Sequence, residues 1–279
     1  MNTKRNVYLN MKPLEEARQI LFDHFPASGS MAVEKLSPPD AVGRVIAEPV
    51  VAAVSSPNFH AAAMDGVAVK AEETFGANES HPKELAVGSQ AHWLNTGHVM
   101  PPGTDAVIMI ENVQTLDDDR IRIEAPAFPW QHVRKMGEDI VATQLLYPRG
   151  HTVTPYCVGA LISGGIYRVP VRKKPRILII PTGSELVDWR STAPEDLKPG
   201  EVLETNAYVL EKMIEACGGQ AMRHERVMDD VTRIRQTVAD AVAGDVDMVM
   251  TIGGSSAGSE DYSLPVLQEL GRMLVHGVA

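Results

Sequence analysis

The sequence predicts a multidomain α/β protein in which a β-rich module precedes an α/β domain with a mostly parallel sheet. Between about Ser37 and Arg149, short β-branched runs alternate with Pro, Gly, Asn and Asp, a pattern typical of short strands and turns. From Pro175 onward, apolar runs of strand length alternate with stretches of helical periodicity. That order indicates parallel strands joined by right-handed crossovers, and 279 residues are enough for two or three such units.

The N-terminal half predicts one helix and several short strands. Apolar residues fall at helical spacing from Pro13 to Phe25, and a proline suits the first helical turn, so we expect an amphipathic packing helix there. In the β-rich module, strands are expected within Val50–Val54, Ala106–Ile110 and Arg120–Ile123.

The C-terminal third predicts strands and helices in strict alternation. Strands are expected at Arg176–Ile180, Gln220–Val227, Asp247–Ile252 and Met273–Val278. Helices are expected from Asn206, acting as the cap, to about Ala216, from Val231 to Ala243, and from about Asp261 to Leu270. Ligands of open parallel sheets bind beyond the carboxyl ends of the strands, so the loops that leave these ends are the place to look for a site.

The composition excludes several classes of protein. A formal net charge of −10 disfavours a sequence-independent grip on nucleic acid or on an anionic membrane. Cys157 and Cys217 stand without a CxxC partner, which predicts two buried thiols rather than a disulfide framework or a zinc site. The sequence shows neither a secretory signal pattern nor a run of eighteen apolar residues, so a soluble, cytoplasmic protein is expected.

Two loops at the predicted strand ends carry unusual residues. Thr182-Gly183-Ser184-Glu185 follows the first strand, and a loop with three glycines and three serines, residues 253–261, follows the third. Such loops can turn N–H groups and hydroxyls toward an oxyanion. Because Glu185 and Asp261 would repel a phosphate, a divalent cation between them is expected, which suggests a Mg²⁺-assisted phosphate site. The alternative is that the glycines only form tight turns and Asp261 only caps a helix.

Further acidic residues lie in turn-rich segments. Asp229-Asp230 comes before a predicted helix, where acidic residues also serve as plain helix starts. Asp65, the Asn95-Thr96-Gly97 turn and the segment 134–139 stand among residues that ordinary turns favour. The first predicted strand is not followed by G-x-G-x-x-G, which argues against NAD, and the histidines lack metal-ligand spacing.

Taken in order, these segments resemble the molybdopterin molybdenumtransferase family, which includes the C-terminal domain of gephyrin. The matching stretches, in sequence order, are 63–69, 95–97, 102–107, 134–140, 181–186, 229–230 and 253–262. They extend over nearly the whole chain, and the ordered set is far more specific than any one of them.

The resemblance implies an enzyme of molybdenum cofactor biosynthesis that inserts molybdenum from molybdate into adenylylated molybdopterin and releases AMP. It implies molybdopterin as substrate, Mg²⁺ or another divalent cation, and an elongated homodimer whose site lies between the α/β domain of one subunit and the β-rich domain of the other. Carried over by position, the functional acids are Asp65, Asp139, Glu185, Asp229 and Asp261, and the metal ligands among them are Glu185, Asp229 and Asp261. The implied substrate-binding residues are Thr182, Gly183, Ser184, Gly253, Gly254, Ser255, Ser256 and Gly258.

The resemblance also implies a domain plan: a small helical linker domain (residues 1–47 with 143–172), a β-rich domain (48–142) and a three-layer α/β molybdopterin-binding domain (173–279). Four positions depart from the family pattern, namely Val67, Ser184, Ser255 and Ala257. The family's Pro-Gly-Lys-Pro motif and C-terminal barrel are not in this sequence, so a truncated α/β domain is expected. An alternative function is therefore a noncatalytic molybdopterin-binding or scaffolding module of a larger protein.

Overall fold

The computed structural model describes residues 11–25, 31–253 and 263–279. The chain folds into two compact units. One is Glu34–Val171, and the other joins the described residues up to Val33 with Arg172–Ala279. The division into three domains stays a prediction. No helix in the described ranges is both long and apolar enough to cross a membrane.

The helices and strands are numbered here in chain order. The α-helices are α1 (Leu14–His24), α2 (Ala71–Thr74), α3 (Pro155–Ser163), α4 (Asn206–Ala216), α5 (Val231–Ala243) and α6 (Ser263–Leu270), with 3₁₀ turns at Ile110–Asn112 and Pro194–Asp196. The strands are β1 (Met11–Lys12), β2 (Val33–Leu36), β3 (Val50–Val51), β4 (Ala61–Ala62), β5 (Gly66–Val69), β6 (Lys83–Ala86), β7 (Ala91–Leu94), β8 (Ala106–Met109), β9 (Val113–Thr115), β10 (Arg120–Ile123), β11 (Val133–Arg134), β12 (Leu145–Tyr147), β13 (Val169–Arg172), β14 (Arg176–Pro181), β15 (Leu186–Val187), β16 (Val202–Leu203), β17 (Gln220–Arg223), β18 (Met248–Ile252) and β19 (Gly277–Val278).

The unit Glu34–Val171 is rich in short antiparallel strands, as predicted. One sheet has the order β7-β5-β8, another has the order β6-β10-β9, and β4 pairs with β11. The alternation in β10 explains its place: Ile121 and Ile123 are buried, whereas Arg120 and Arg122 face outward and pair with Glu84. Each isoleucine buried in this way contributes roughly 1.5–3 kcal/mol to folding.

Helix α3 packs into a second core in the same unit. Its Cys157 and Leu161 are buried against Ile46, Val153 and Val169. Thr154 precedes the helix, and its backbone N–H donates to Cys157 Sγ at 3.3 Å. The thiol therefore acts as a hydrogen-bond acceptor at the N-terminal end of α3. The expectation of two buried thiols is wrong for Cys217, which is exposed because it follows the last turn of α4.

The other unit contains the predicted parallel sheet, in the order β17-β14-β18. Helix α4 packs on β14 and β17. Ile180 of β14 is buried with Ile234 and Val238 of α5 and with Val266 of α6. Because all three strands run in the same direction, their carboxyl ends share one edge of the sheet. The mixed α/β fold expected from the sequence is confirmed.

Several boundaries differ from the sequence-based expectation; β3, for example, ends at Val51 rather than at Val54. Asn206 is the first residue of α4 rather than its cap; Thr205 holds the cap position, and the N–H of Ala207 donates to Glu204 Oε1 at 2.7 Å. The second strand ends at Arg223, and Val227 only forms an isolated bridge to Thr182. The last strand is short and pairs with Met11–Lys12 instead of extending the parallel sheet.

Candidate functional site

The turn after β14 carries four of the predicted substrate and metal residues. Thr182 is buried, and both its N–H (2.7 Å) and its Oγ1 (2.9 Å) donate to the Ile252 carbonyl at the end of β18. The Glu185 carboxylate lies against the Gly183 backbone, where an added Cβ would stand 2.8 Å from both carboxylate oxygens. The turn is therefore closed on itself, with Glu185 folded back over its glycine.

The two neighbouring acids after β17 have different roles. Asp229 Oδ2 accepts the Ser184 N–H at 2.7 Å, and the Asp229 N–H donates to Ser184 Oγ at 3.2 Å. Asp230 instead caps α5, since its Oδ1 accepts the Arg233 N–H at 2.9 Å. The simple helix-start interpretation thus applies to Asp230, while Asp229 faces the turn that carries Ser184.

Gly253 brings the end of β18 to the same place. Its φ is +97°, and a Cβ would lie 2.5 Å from the Thr182 carbonyl oxygen, so the two strand ends touch through backbone. The structure therefore collects Thr182, Gly183, Ser184, Glu185, Asp229 and Gly253 at one edge of the parallel sheet. The predicted residues Gly254, Ser255, Ser256, Gly258 and Asp261 lie outside the described residues.

The chemistry of this edge fits a hard divalent cation. Glu185 and Asp229 offer carboxylate oxygens from adjacent turns, and one or two carboxylates with several waters make up an ordinary Mg²⁺ site. Asp229 uses one oxygen to accept the Ser184 N–H, which leaves Oδ1 for a cation. In the ranges 11–25, 31–253 and 263–279, no three His, Cys, Asp or Glu residues are grouped to hold a metal ion. The third predicted ligand, Asp261, lies outside those ranges.

Arg226 is a residue of this edge that sequence reasoning missed. Its Nη1 donates to the Ser184 carbonyl at 3.1 Å and also to the Leu186 carbonyl, on either side of Glu185. A cavity of about 510 Å³ opens beside it, with walls that include Glu204, Tyr208 and His224. Nothing local in the sequence marks Arg226, because both of its partners come from the turn after a different strand.

In the unit Glu34–Val171, which is the β-rich unit, the Asp65 carboxylate is hydrogen-bonded by the turn that follows β7. Its Oδ1 accepts the Thr96 N–H at 2.6 Å and the Thr96 hydroxyl at 2.8 Å. These two bonds favour the ionised carboxylate and lower the pKa of Asp65 from its ordinary value. Thr96 lies within a segment that resembles the family, but no local sequence pattern indicates its bond to Asp65.

Replacing Thr96 with valine should raise the pKa of Asp65 toward the ordinary range, because the hydroxyl bond is lost while the backbone bond remains. A lowered pKa in the folded state stabilises the fold above the unfolded pKa, and that contribution disappears as the pH falls through the folded pKa. The measurement is an NMR titration of the Asp65 carboxyl carbon. Thr104→Val is the matched control, since that hydroxyl donates to the Pro101 carbonyl. An unchanged Asp65 titration in Thr96→Val would contradict this account.

Asp139 belongs to the same unit. It is exposed, and its N–H donates to the Ser56 carbonyl at 3.0 Å. Asp65 follows β4 and Asp139 follows β11, and these strands are antiparallel partners. The two acids therefore leave opposite ends of that ladder, and their shared functional role stays a prediction.

Comparisons with known proteins agree with this architecture. The family profile described as "MoeA N-terminal region (domain I and II)" matches residues 12–165, and that described as "Probable molybdopterin binding domain" matches residues 178–279. A Methanocaldococcus jannaschii protein named for molybdopterin biosynthesis is 30% identical, over 96% of this chain and 70% of its own length. Molybdopterin molybdenumtransferase 2 of Mycobacterium tuberculosis strain H37Rv is 31% identical, over 89% of this chain and 63% of its own length.

A solved structure gives the same result. The crystal structure of a molybdopterin biosynthesis MoeA protein from Pyrococcus horikosii superposes with a TM-score of 0.82 at 31% identity, over 96% of this chain and 69% of that one. The chain thus spans between 63% and 70% of the length of these relatives. With both profiles in order along the chain and the fold shared, the chain belongs to the MoeA family, the molybdopterin molybdenumtransferases of molybdenum cofactor biosynthesis.

Proposed function

We propose that this chain carries the substrate-binding part of a molybdopterin molybdenumtransferase. The reaction is the insertion of molybdenum from molybdate into adenylylated molybdopterin, with release of AMP. The observation that carries the proposal is the convergence of Ser184, Glu185 and Asp229 at the carboxyl edge of the parallel sheet, within the segment that matches a molybdopterin-binding domain. Family membership supports the reaction, and the geometry supports the place of binding.

The residues at this edge have two proposed roles, contact with the ligand and compensation of its charge. The turn 182–185 and Gly253 bring backbone close to the ligand position, and Glu185 and Asp229 would hold a divalent cation. The cation, Mg²⁺ by its preference for carboxylate oxygens, would offset the charge of the pyrophosphate and stabilise the leaving phosphate. Attack of water on the phosphoanhydride of adenylylated molybdopterin breaks one P–O bond and gives AMP and molybdopterin, so no protein nucleophile is needed. Asp65 and Asp139 contribute from the β-rich domain of a homodimeric, cytoplasmic enzyme.

Binding of molybdopterin and of its adenylylated form to this chain should depend on Mg²⁺. We expect chelation of the cation to weaken binding of the adenylylated form by about ten-fold or more, since a pyrophosphate beside two carboxylates is otherwise repelled. Isothermal titration calorimetry with and without EDTA measures the effect. Molybdopterin without the adenylate is the control ligand, because it carries less phosphate charge and should respond less.

The outcomes separate the two functions under consideration. Cation-dependent binding followed by AMP release in the presence of molybdate would support the enzyme. Tight binding with no AMP release would support a noncatalytic molybdopterin-binding module. If the chain binds neither ligand, with or without Mg²⁺, the proposal of a complete ligand site in this chain would be contradicted.

A further inference from the structure

Arg226 hydrogen-bonds the turn after β14 and also lines a cavity. Its Nη1 donates to two carbonyls, those of Ser184 (3.1 Å) and Leu186. These carbonyls flank Glu185, so the guanidinium fixes the peptide units on either side of a predicted metal ligand. Further hydrogen bonds join the turn after β14 to the segment after β17. The Gly183 N–H donates to the Val227 carbonyl at 3.1 Å, and Ser184 and Asp229 bond reciprocally.

The charge of Arg226 is not matched in the way that the charges of its neighbours are. In the same cavity wall, Arg190 pairs with Asp188 at 2.6 Å and lowers the pKa of Asp188 to about 2, and Arg223 pairs with Glu211. Among the described residues, the hydrogen-bond partners of Arg226 are instead carbonyl oxygens, which carry only partial charge. Its positive charge therefore remains available to an anion at this edge.

Arg226 also borders two hollows. It lines the cavity of about 510 Å³ beside Glu204 and Tyr208, and it lines a second hollow of about 300 Å³ with Met228 and Arg233. A guanidinium has five N–H donors in a planar fork, and the two carbonyl bonds use only those on Nη1. The Nε and Nη2 donors are suited to a phosphate, which arginine commonly binds through two parallel bonds.

We propose that Arg226 is the phosphate-positioning residue of the α/β unit. One nitrogen fixes the turn from Ser184 to Leu186, and the remaining donors bind an oxygen of the substrate's pyrophosphate. The proposal rests on the proposed function, because it assumes a phosphate-bearing substrate at this edge. It explains how a chain of net charge −10, with Glu185 and Asp229 at the site, accepts an anionic substrate: Arg226 adds a fixed positive charge to that of the cation.

The test compares three ligands on the full 279-residue chain at a fixed magnesium concentration. Inorganic pyrophosphate and AMP carry phosphate, and 6-hydroxymethylpterin carries none. We expect Arg226→Gln to weaken the binding of pyrophosphate and of AMP by about ten-fold or more, which is the effect of losing one charge-assisted hydrogen bond. The affinity for 6-hydroxymethylpterin should change by less than about two-fold. The affinity of Arg226→Lys for pyrophosphate and AMP should lie between those of the unaltered chain and Arg226→Gln, because lysine keeps the charge but lacks the planar guanidinium fork.

Arg190→Gln is the matched control, since it removes one positive charge from the same cavity wall at a residue already paired with Asp188. It should change all three affinities by less than about two-fold, as expected for an exposed pair. An equal loss of pterin and pyrophosphate binding in Arg226→Gln would overturn the proposal, because Arg226 would then only hold the turn.

Two further results would also overturn it, and they are distinguishable. If the unaltered chain binds pyrophosphate and Arg226→Gln binds it equally well, the role of Arg226 fails and the phosphate site of the proposed function stands. If the unaltered chain binds neither phosphate-bearing ligand, the proposed phosphate site fails together with the role of Arg226.

Discussion

Replacing Gly66 with alanine is expected to destabilise the β-rich unit by about 3 kcal/mol or more, a cost at the upper end for forcing atoms into a packed core. An added Cβ at this position would stand 1.9 Å from the Ile108 carbonyl oxygen and 2.9 Å from its carbon. Gly66 pairs with Met109 on one side and with Leu94 on the other. The methyl group can fit only if β5 and β8 separate, which exposes the buried Val67 and Val69.

Gly76→Ala is the control for this experiment. Gly76 belongs to the same unit and has φ +88°, but nothing lies within 4 Å of its added Cβ. Its substitution should cost only the left-handed backbone penalty of about 1–2 kcal/mol. Urea unfolding measured by circular dichroism gives both values. Similar free energies of unfolding for the two variants would show that β5 and β8 can adapt, and that the close approach at Gly66 is not required.

Elements defined by their own sequence were predicted well. Helix α5 runs from Val231 to Ala243 as expected, because Asp230 caps it and its apolar residues recur at helical spacing to bury Ile234 and Val238. Strand β10 also matches its expected bounds, since its alternation places two isoleucines in the core. In both cases the local pattern and the tertiary packing favour the same structure.

The site was predicted only in part, because its decisive contacts join distant residues. Ser184 and Asp229 were each identified, but their reciprocal bonds span 45 positions. Thr96 bonds to Asp65 across 31 positions, and Arg226 bonds to Ser184 across 42. No periodicity or turn pattern encodes such pairs; they arise when the strands are aligned in their sheets. The one-residue shift at Asn206 has a local cause, because the Glu204 carboxylate accepts a free N–H of the first helical turn.

The Asp229-Asp230 pair allows the site assignment to be tested with one charge at a time. Asp229→Asn removes a negative charge beside Ser184 and should weaken Mg²⁺-dependent binding of adenylylated molybdopterin by roughly 10- to 100-fold, or about 1.4–2.7 kcal/mol. Asparagine has nearly the shape of aspartate, and its side-chain oxygen can still accept the Ser184 N–H. The fold should therefore survive, and the loss should lie in cation affinity.

Asp230→Asn is the adjacent control, with the same change of charge and shape. Asparagine is as good an N-cap as aspartate, so the bond to the Arg233 N–H is kept and stability should change by less than about 0.5 kcal/mol. Calorimetric titration of Mg²⁺ in the presence of ligand, with thermal unfolding of each variant, measures both effects. Equal losses of cation affinity in the two variants would indicate a general effect of charge at the sheet edge. A loss confined to Asp229→Asn would place the cation on the turn that contains Ser184, because Asp229 faces that turn whereas Asp230 caps α5.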